Sequence, residues 1–185
     1  MSERLRIEGF AIVSMNGMIA AADGFMPNSL KFEADQEFLG KSLDAAALLV
    51  HGRKSHEAQD NSGKRRRLLM TRSVVDFSIR PVEPNVWLWN PEATSFDAAR
   101  MALGVEEGTV AVLGGTKAYD MFLPRYAAFH LMRAGHVSLP DGVPVLSAVN
   151  QGTTPDAVLR AHGLKLKEET MLDEAHALVR QRWVK

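Results

Sequence analysis

The chain has 185 residues, contains no cysteine, and carries 22 basic and 22 acidic side chains, so its formal net charge at pH 7 is zero. A balanced charge gives no long-range field to attract nucleic acid or a membrane surface, and the lack of cysteine excludes a disulfide framework and a cysteine nucleophile. The apolar runs are too short for a signal peptide or a membrane span, which predicts a cytoplasmic protein with no membrane partner.

Strands and helices alternate through the first half of the chain, as judged from apolar periodicity and from glycine, proline and capping signals. The predicted elements, in order, are a central strand at 6–13, a mobile loop at 15–27, a helix from Ser29 to Asp44, a strand at 45–50, a short helix at 53–59 that Gly52 opens, and a strand at 67–71.

The second half continues this alternation and then changes character. Its predicted elements are a strand at 86–89, a helix at 98–103 capped by 94–97, a strand at 109–113, a helix through 118–123, a strand at 128–133, and a closing antiparallel hairpin with arms 164–168 and 175–183. This order predicts an α/β protein of one domain, 1–185, with a mostly parallel sheet, an antiparallel edge and helices on both faces.

Two apolar strands run through glycine directly into a predicted helix, at Gly52 and at Gly114-Gly115. The first-turn N–H groups of a helix have no partner within it and its dipole makes that end partly positive, so each turn suits a phosphate. The strand that ends in Thr71-Arg72-Ser73 could add hydroxyls and a guanidinium for one more phosphate. Together these features predict a nicotinamide reductase that uses NADPH.

Four segments, taken in order, resemble dihydrofolate reductase and its relatives, which include the pyrimidine reductases of riboflavin synthesis and the pterin reductases. They are AIVSMNGMIA from Ala11, HGRKSHE from His51, LLMTR from Leu68 and VLGGTKAYDMFLP from Val112. The resemblance implies a dihydrofolate reductase-like three-layer α/β/α sandwich that transfers a hydride from NADPH to a C=N bond of a reduced pterin.

The resemblance also implies which residues meet the cofactor. Residues 52–55 and 114–117 would hold its pyrophosphate, 71–73 its 2′-phosphate, 11–12 the nicotinamide edge through their backbone, and 16–19 would form a lid. The implied cofactor contacts are Ala11, Ile12, Asn16, Gly17, Ile19, Gly52, Arg53, Lys54, Ser55, Thr71, Arg72, Ser73, Gly114, Gly115, Thr116 and Lys117.

The substrate side depends on one acid, which in the family holds the amino-pyrimidine edge and helps to protonate the ring. Glu33 and Asp35 both compete for this catalytic role, and the distance from Pro27 slightly favours Glu33. Either could instead be a first-turn acid that complements the helix dipole. Phe32 and Phe38 are candidates for the substrate pocket wall or for the core. Arg65 falls near the position of the family's folate carboxylate-binding arginine.

Other hypotheses remain open. Residues 14–20 and 141–144 resemble the riboflavin branch, whose substrate is a ribosylamino-pyrimidine, and Met132 stands near where the family has threonine. A binding module that keeps the nucleotide pocket without turnover is a third candidate. The histidines show no zinc-ligand spacing, which predicts no metal, and relatives of the riboflavin branch often pair through sheet edges, which leaves a homodimer open.

Overall fold

The computed structural model describes residues 5–53, 55, 61–75 and 79–185, with residues 150 and 151 described for the backbone alone. Its helices and strands, in chain order, are β1 (Arg6–Ser14), β2 (Met18–Ala20), α1 (Glu33–Asp44), β3 (Leu48–Gly52), β4 (Arg67–Met70), β5 (Arg80–Glu83), β6 (Val86–Trp89), α2 (Phe96–Ala102), β7 (Thr109–Val112), α3 (Thr116–Phe122), β8 (Ala128–Ala134), β9 (Val143–Pro144), α4 (Pro155–Ala161), β10 (Lys165–Asp173) and β11 (Leu178–Val184).

The described strands form one large sheet in the order β10-β11-β8-β1-β7-β3-β4-β6-β5, and β2 pairs separately with β9. The six strands from β8 to β6 run parallel, whereas the β10–β11 hairpin and β5 add antiparallel edges. Leu48 to Val50 and Val110 to Val112 are completely buried, as expected of strands covered on both faces. The predicted mostly parallel sheet with a C-terminal antiparallel hairpin is confirmed.

Helices cover both faces of this sheet. On one face α1 packs over Phe10, Leu49 and Ala111. On the other face a larger cluster joins α2, α3 and α4 to the sheet, with Phe96, Phe122, Leu159 and Phe129 among its members. The side chains of β1 alternate between the two layers, so this central strand holds both halves of the core together. The predicted three-layer α/β/α arrangement is confirmed.

The predicted start of the first helix at Ser29 is wrong. Asn28–Leu30 forms a single 3₁₀ turn, Phe32 is extended (φ −115°, ψ 135°), and α1 begins at Glu33. Leu30 is fully buried in a cluster with Ile12 and Met132. Burying this side chain draws the backbone out of a helical path, so tertiary packing overrides the local capping signal.

The segment at 15–27, which the sequence predicts as a mobile loop, contains regular structure. It contains β2, and Val145 N–H donates to the carbonyl of Gly17 at 3.0 Å. Elements without a sequence prediction are β5, β9 and α4. A cap signal does precede α4, because Thr154 Oγ1 accepts from Ala157 N–H at 3.2 Å and Pro155 occupies the first turn.

The predicted helix at 53–59 can be compared at two positions only. Arg53 lies in a turn, and Ser55 lies in irregular backbone with its N–H donating to the carbonyl of Gly52 at 3.1 Å. Lys54 and residues 56–59 lie outside the described residues.

Candidate active site

The sheet opens between β1 and β7. These strands pair only from Arg6 to Gly9 of β1, whereas β1 continues against β8 as far as Ser14. Beyond Val112 the chain turns towards β3, and Leu113 N–H donates to the carbonyl of Val50 at 2.9 Å. A cleft therefore begins at the carboxyl end of the parallel strands, where open α/β sheets place their ligands.

The main-chain groups of β1 show which residues face this cleft. In a parallel ladder both groups of every second residue point to the same neighbour. Arg6 N–H bonds to Gly108 next to β7, and the carbonyl of Ile7 accepts from Ala127 next to β8. By this alternation Phe10 and Ile12 turn their N–H and C=O groups towards β7 and the cleft. Ala11 turns its groups towards β8, so of the predicted pair Ile12 alone has main-chain groups on the cleft side.

The two glycine turns meet at this edge. Gly52 N–H donates to the carbonyl of Gly114 at 2.7 Å, and a side-chain carbon added to Gly52 would lie 3.6 Å from the amide nitrogen of Gly115. They adjoin because β3 and β7 are neighbours in the sheet and run parallel. The turns therefore open on the same side of the molecule.

Gly114 and Gly115 differ in their surroundings. Gly114 has a φ of +95°, and a β-carbon on it would lie 2.7 Å from the ring of Tyr119. A β-carbon on Gly115 would meet no atom within 4 Å, and Gly115 is the N-cap of α3. The backbone at Gly115 therefore borders open space next to the first-turn N–H groups of Thr116 and Lys117. The hydroxyl of Thr116 donates to the carbonyl of Pro144 at 2.5 Å, and the Lys117 side chain is exposed.

The third predicted phosphate contact follows β4, the next strand along this edge. Thr71 is buried, its hydroxyl lies 2.9 Å from the hydroxyl of Ser73, and it accepts from Ser73 N–H at 3.1 Å. The Arg72 and Ser73 side chains are exposed, as is Arg53 after β3. A compact turn with two hydroxyls suits a phosphate. The exposed guanidinium groups of Arg72, in this turn, and of Arg53, which follows the neighbouring strand β3, suit it as well.

The two candidate acids lie on different sides of α1. Residues two apart on a helix are rotated by about 200°. Asp35 is half-buried, and burial raises its pKa from 3.8 to about 6. Glu33 is exposed and lines a separate groove towards the β10–β11 turn. These observations favour Asp35, whereas the sequence slightly favours Glu33.

Tyr119 is a site residue that sequence reasoning missed. It is buried beneath Gly114, and its hydroxyl donates to the carbonyl of Phe10, where β1 leaves β7. Its pKa is raised by burial and further by the negative charge of Asp35, which places that carboxyl close to the same end of the cleft. Its spacing of five residues after Gly114, inside a quoted motif, is the signal that could have identified it.

The predicted lid at 16–19 is hydrogen-bonded to Leu139 and to β9. The Asn16 carboxamide accepts from Ser14 Oγ at 2.7 Å and from Leu139 N–H at 3.0 Å, and it donates to the carbonyl of Leu139 at 2.9 Å. Gly17 is buried and Ile19 half-buried. Because β2 pairs with Pro144, which also accepts from Thr116, the same short segment contacts both this loop and the start of α3.

The predicted substrate contacts have structural partners. Arg65 is buried; its Nε and Nη2 donate to Asp44 Oδ1 at 2.8 and 2.6 Å, and Nη2 reaches the carbonyl of Gly40. Phe38 packs against Phe10, His130 and Arg180. The ring of Phe32 lies 5.5 Å from that of His176 in the separate groove. Their roles in substrate binding stay predictions, and these contacts indicate an anchor for α1 and core packing.

The described part of the chain lacks both a membrane-spanning helix and a cluster of metal ligands. Its helices include none long and apolar enough to cross a membrane. Its histidine, aspartate and glutamate side chains form no group of three or more that could hold a metal ion.

Comparison with solved structures identifies the architecture. A diaminohydroxyphosphoribosylaminopyrimidine deaminase/5-amino-6-(5-phosphoribosylamino)uracil reductase from Thermotoga maritima superposes with a TM-score of 0.66 at 13% identity over 98% of this chain, which spans only 56% of that protein. Dihydrofolate reductase from Enterococcus faecalis, complexed with NADP(H) and RAB-propyl, gives 0.65 at 12% identity over 100% of this chain and 98% of the other.

A candidate riboflavin biosynthesis protein from Shewanella sp. PV-4 gives a TM-score of 0.62 at 16% identity, over 100% of this chain and 98% of the other. No protein-family model matches the sequence, and no curated protein matches it. The chain therefore has the dihydrofolate reductase-like fold, and at these identities the likeness extends to the fold alone.

Proposed function

We propose that this chain is an NADPH-dependent reductase that reduces a C=N bond of a reduced pterin or a related amino-pyrimidine. The observation that carries the proposal is the meeting of two glycine turns, at Gly52 and Gly114-Gly115, above Tyr119, whose pKa is raised by burial and by the charge of the half-buried acid Asp35. A dinucleotide needs such a cradle for its pyrophosphate, and reduction of C=N needs a proton donor close by.

The residues present fit NADPH. Backbone amides at the start of α3 and the open space at Gly115 can accept a pyrophosphate without a side-chain clash. Thr71, Ser73 and Arg72, which follow the strand next to β3, suit the additional 2′-phosphate that separates NADPH from NADH. Ile12 would offer its main-chain N–H and C=O groups to the nicotinamide carboxamide.

When bound, the dihydronicotinamide supplies a hydride to the carbon of the C=N bond and becomes oxidised, while the nitrogen takes a proton. With a pKa of about 6, Asp35 is half protonated at that pH and mostly protonated below it, so its carboxyl can donate a hydrogen bond to the substrate and help to move that proton to the nitrogen. The buried Tyr119 hydroxyl, bonded to the Phe10 carbonyl, fixes the wall of the cleft next to it. The loop at 16–19, hydrogen-bonded to Leu139 through the Asn16 carboxamide, would form the lid that limits the access of water.

The contacts of Arg65 favour a substrate without a carboxylate tail. Its guanidinium is buried and already bonded to Asp44, so a substrate carboxylate would have to displace an existing partner. This observation supports an amino-pyrimidine reductase of the riboflavin type as a second candidate beside a small-pterin reductase. Met132 stands near the position where the family has threonine, and its thioether side chain, buried against Ile12 and Leu30, carries no hydroxyl.

The direct test is NADPH oxidation, followed by absorbance, with a panel of dihydropterins, dihydrofolate and ribosylamino-pyrimidines. We expect turnover with a substrate that lacks a carboxylate tail. We also expect Asp35→Asn to lower kcat/KM by about 100-fold or more, as loss of a proton donor does, whereas the matched variant Glu33→Gln stays within about threefold of the wild type. A kcat/KM of Asp35→Asn within about threefold of the wild type would remove Asp35 from the mechanism.

Calorimetric titration with NADPH separates the remaining hypothesis. Tight binding of NADPH without turnover on any member of the panel would favour a non-catalytic binding module. Failure to bind NADPH at all would overturn the proposal.

A further inference from the structure

A groove of small-molecule size lies outside the proposed reductase cleft. It is a groove of about 760 Å³ between the start of α1 and the turn of the β10–β11 hairpin, with Val137 after β8 at its base. Its volume lies in the range of small-molecule pockets. Its apolar wall is formed by Phe32, Ala34, Val137, Leu172 and Leu178.

Helix geometry separates this groove from the cleft. The groove contacts α1 through Glu33, Ala34 and Glu37, which lie on one side of the helix. Asp35 and Leu39 lie on another side, and Leu39 packs towards β3 and β7. A ligand in the groove would therefore be separated from Asp35 by the body of α1.

The charged groups of the groove are mostly acidic. Glu33, Glu37 and Asp173 oppose the single ammonium of Lys31, and the two imidazoles are those of His136 and His176. Glu37 is paired with Lys41 at 2.7 Å, and Lys31 donates to Asn28 at 2.9 Å. In the part of the chain that the structure describes, Glu33 has neither an ion pair nor a side-chain hydrogen bond.

Asp173 and His176 supply a second acceptor. Asp173 Oδ2 lies 2.7 Å from Nδ1 of His176, and Asp173 Oδ1 accepts from the His176 backbone N–H at 3.2 Å. In the neutral imidazole this bond places the proton on Nδ1 and leaves Nε2 as an acceptor. The same imidazole packs edge-on against Phe32, with ring centroids 5.5 Å apart. Acceptors and an aromatic ring therefore share one apolar cavity.

We propose that this groove binds a small organic cation, an ammonium or amidinium group on a flat apolar body. The Glu33 carboxylate pairs with the cation, the imidazole of His176 accepts one of its N–H groups, and the ring of Phe32 with Val137 and Leu178 covers the apolar body. The lining matches this class, because the Glu33 and Asp173 carboxylates border an apolar wall with an aromatic ring and would repel an anion.

The probe is benzamidine, titrated calorimetrically into the full chain, with its neutral analogue benzamide and the anion benzoate as matched ligands. We expect benzamidine to bind at least tenfold more tightly than either analogue. Glu33→Gln should weaken benzamidine at least tenfold. The matched control Glu92→Gln, an exposed acid that does not line the groove, should leave binding unchanged. Circular dichroism checks that each variant is folded.

Amide chemical shifts locate the ligand. Changes confined to residues 32–37, 136–137 and 172–178 support the proposal. Changes centred on residues 52 and 114–117 would move benzamidine to the nucleotide cradle and overturn it. Equal affinity for benzamide, preference for benzoate, no measurable binding, or a chain dimer that covers the groove would also overturn it. None of these outcomes depends on reductase activity, which is measured separately with NADPH.

Discussion

Replacing Gly114 by alanine tests whether the turn after β7 is shaped by the ring beneath it. The new β-carbon would lie 2.7, 2.9 and 3.0 Å from Cε2, Cζ and Oη of Tyr119, and the residue would keep a φ of +95°. Overpacking of this kind costs about 1–3 kcal/mol. The left-handed backbone adds about 1–2 kcal/mol for a residue with a side chain.

The two costs together give a loss of about 2–5 kcal/mol in the free energy of unfolding, or a fall in Tm of roughly 4–20 °C for a chain of this size. Thermal unfolding followed by circular dichroism measures the fall. We also expect weaker NADPH binding, because movement of the Tyr119 ring would shift the first turn of α3.

The neighbouring substitution Gly115→Ala is the matched control. Its β-carbon would meet no protein atom within 4 Å, and its φ of −69° is allowed for alanine, so stability should fall only by the loss of a favourable N-cap, about 1 kcal/mol or less. NADPH affinity should nevertheless fall at least tenfold, because the methyl group occupies the space of the cradle. If Gly114→Ala is as stable as the wild type, or if Gly115→Ala binds NADPH normally, the assigned geometry is refuted.

Three further predictions concern the acid, the tyrosine and the arginine. The pKa of Asp35 is about 6 in the folded chain against 3.8 as its ordinary value, so its contribution to stability is fully present below pH 3.8 and lost as pH rises through 6. Asp35→Asn should therefore raise Tm more at pH 8 than at pH 4, and the wild-type kcat/KM should fall above pH 6 in a profile that the variant lacks. Tyr119→Phe should leave the Phe10 carbonyl without its partner and lower the unfolding free energy by about 1–3 kcal/mol in urea titrations; an unchanged midpoint would contradict the bond. Asp44→Ala should lower Tm more than Asp44→Asn does, because asparagine keeps an oxygen that can accept from the buried Arg65 guanidinium and alanine does not, and a larger loss for asparagine would exclude this role.

Much of the fold could be predicted because the parallel strands are buried on both faces. Runs such as Leu48 to Val50 and Val110 to Val112 are buried on both faces of the sheet and are therefore apolar at every position. An apolar run that ends at glycine consequently identifies both the strand and its end. The convergence of Gly52 and Gly114 also follows from this, since parallel neighbours end at the same edge. The sequence therefore predicts that the two glycine turns lie side by side, without any knowledge of their contacts.

The start of α1 could not be predicted in this way. Ser29 carries a good capping signal, but Leu30 is buried against Ile12, which is close only in the folded state. The preference between Glu33 and Asp35 rests on the distance from Pro27, and shifting a helical position by one residue rotates its side chain by about 100°. A difference of one or two residues therefore changes which acid is expected at the cleft.

The two glycine turns and the acid lie in different layers, and β1 is what joins them. Its carbonyl at Phe10 accepts the Tyr119 hydroxyl from the α3 side, while its Phe10 side chain packs under Phe38 of α1 on the other. The point where β1 leaves β7 is therefore fixed from both faces of the sheet. Asp35 lies on α1, and Gly115 is the N-cap of α3. A change that shifts the end of the β1–β7 pairing would therefore move the acid and the proposed phosphate cradle relative to one another. Activity should consequently be more sensitive than cofactor affinity to substitutions at Phe10, because a cradle formed by α3 and β3 can bind the dinucleotide without the correct placement of Asp35.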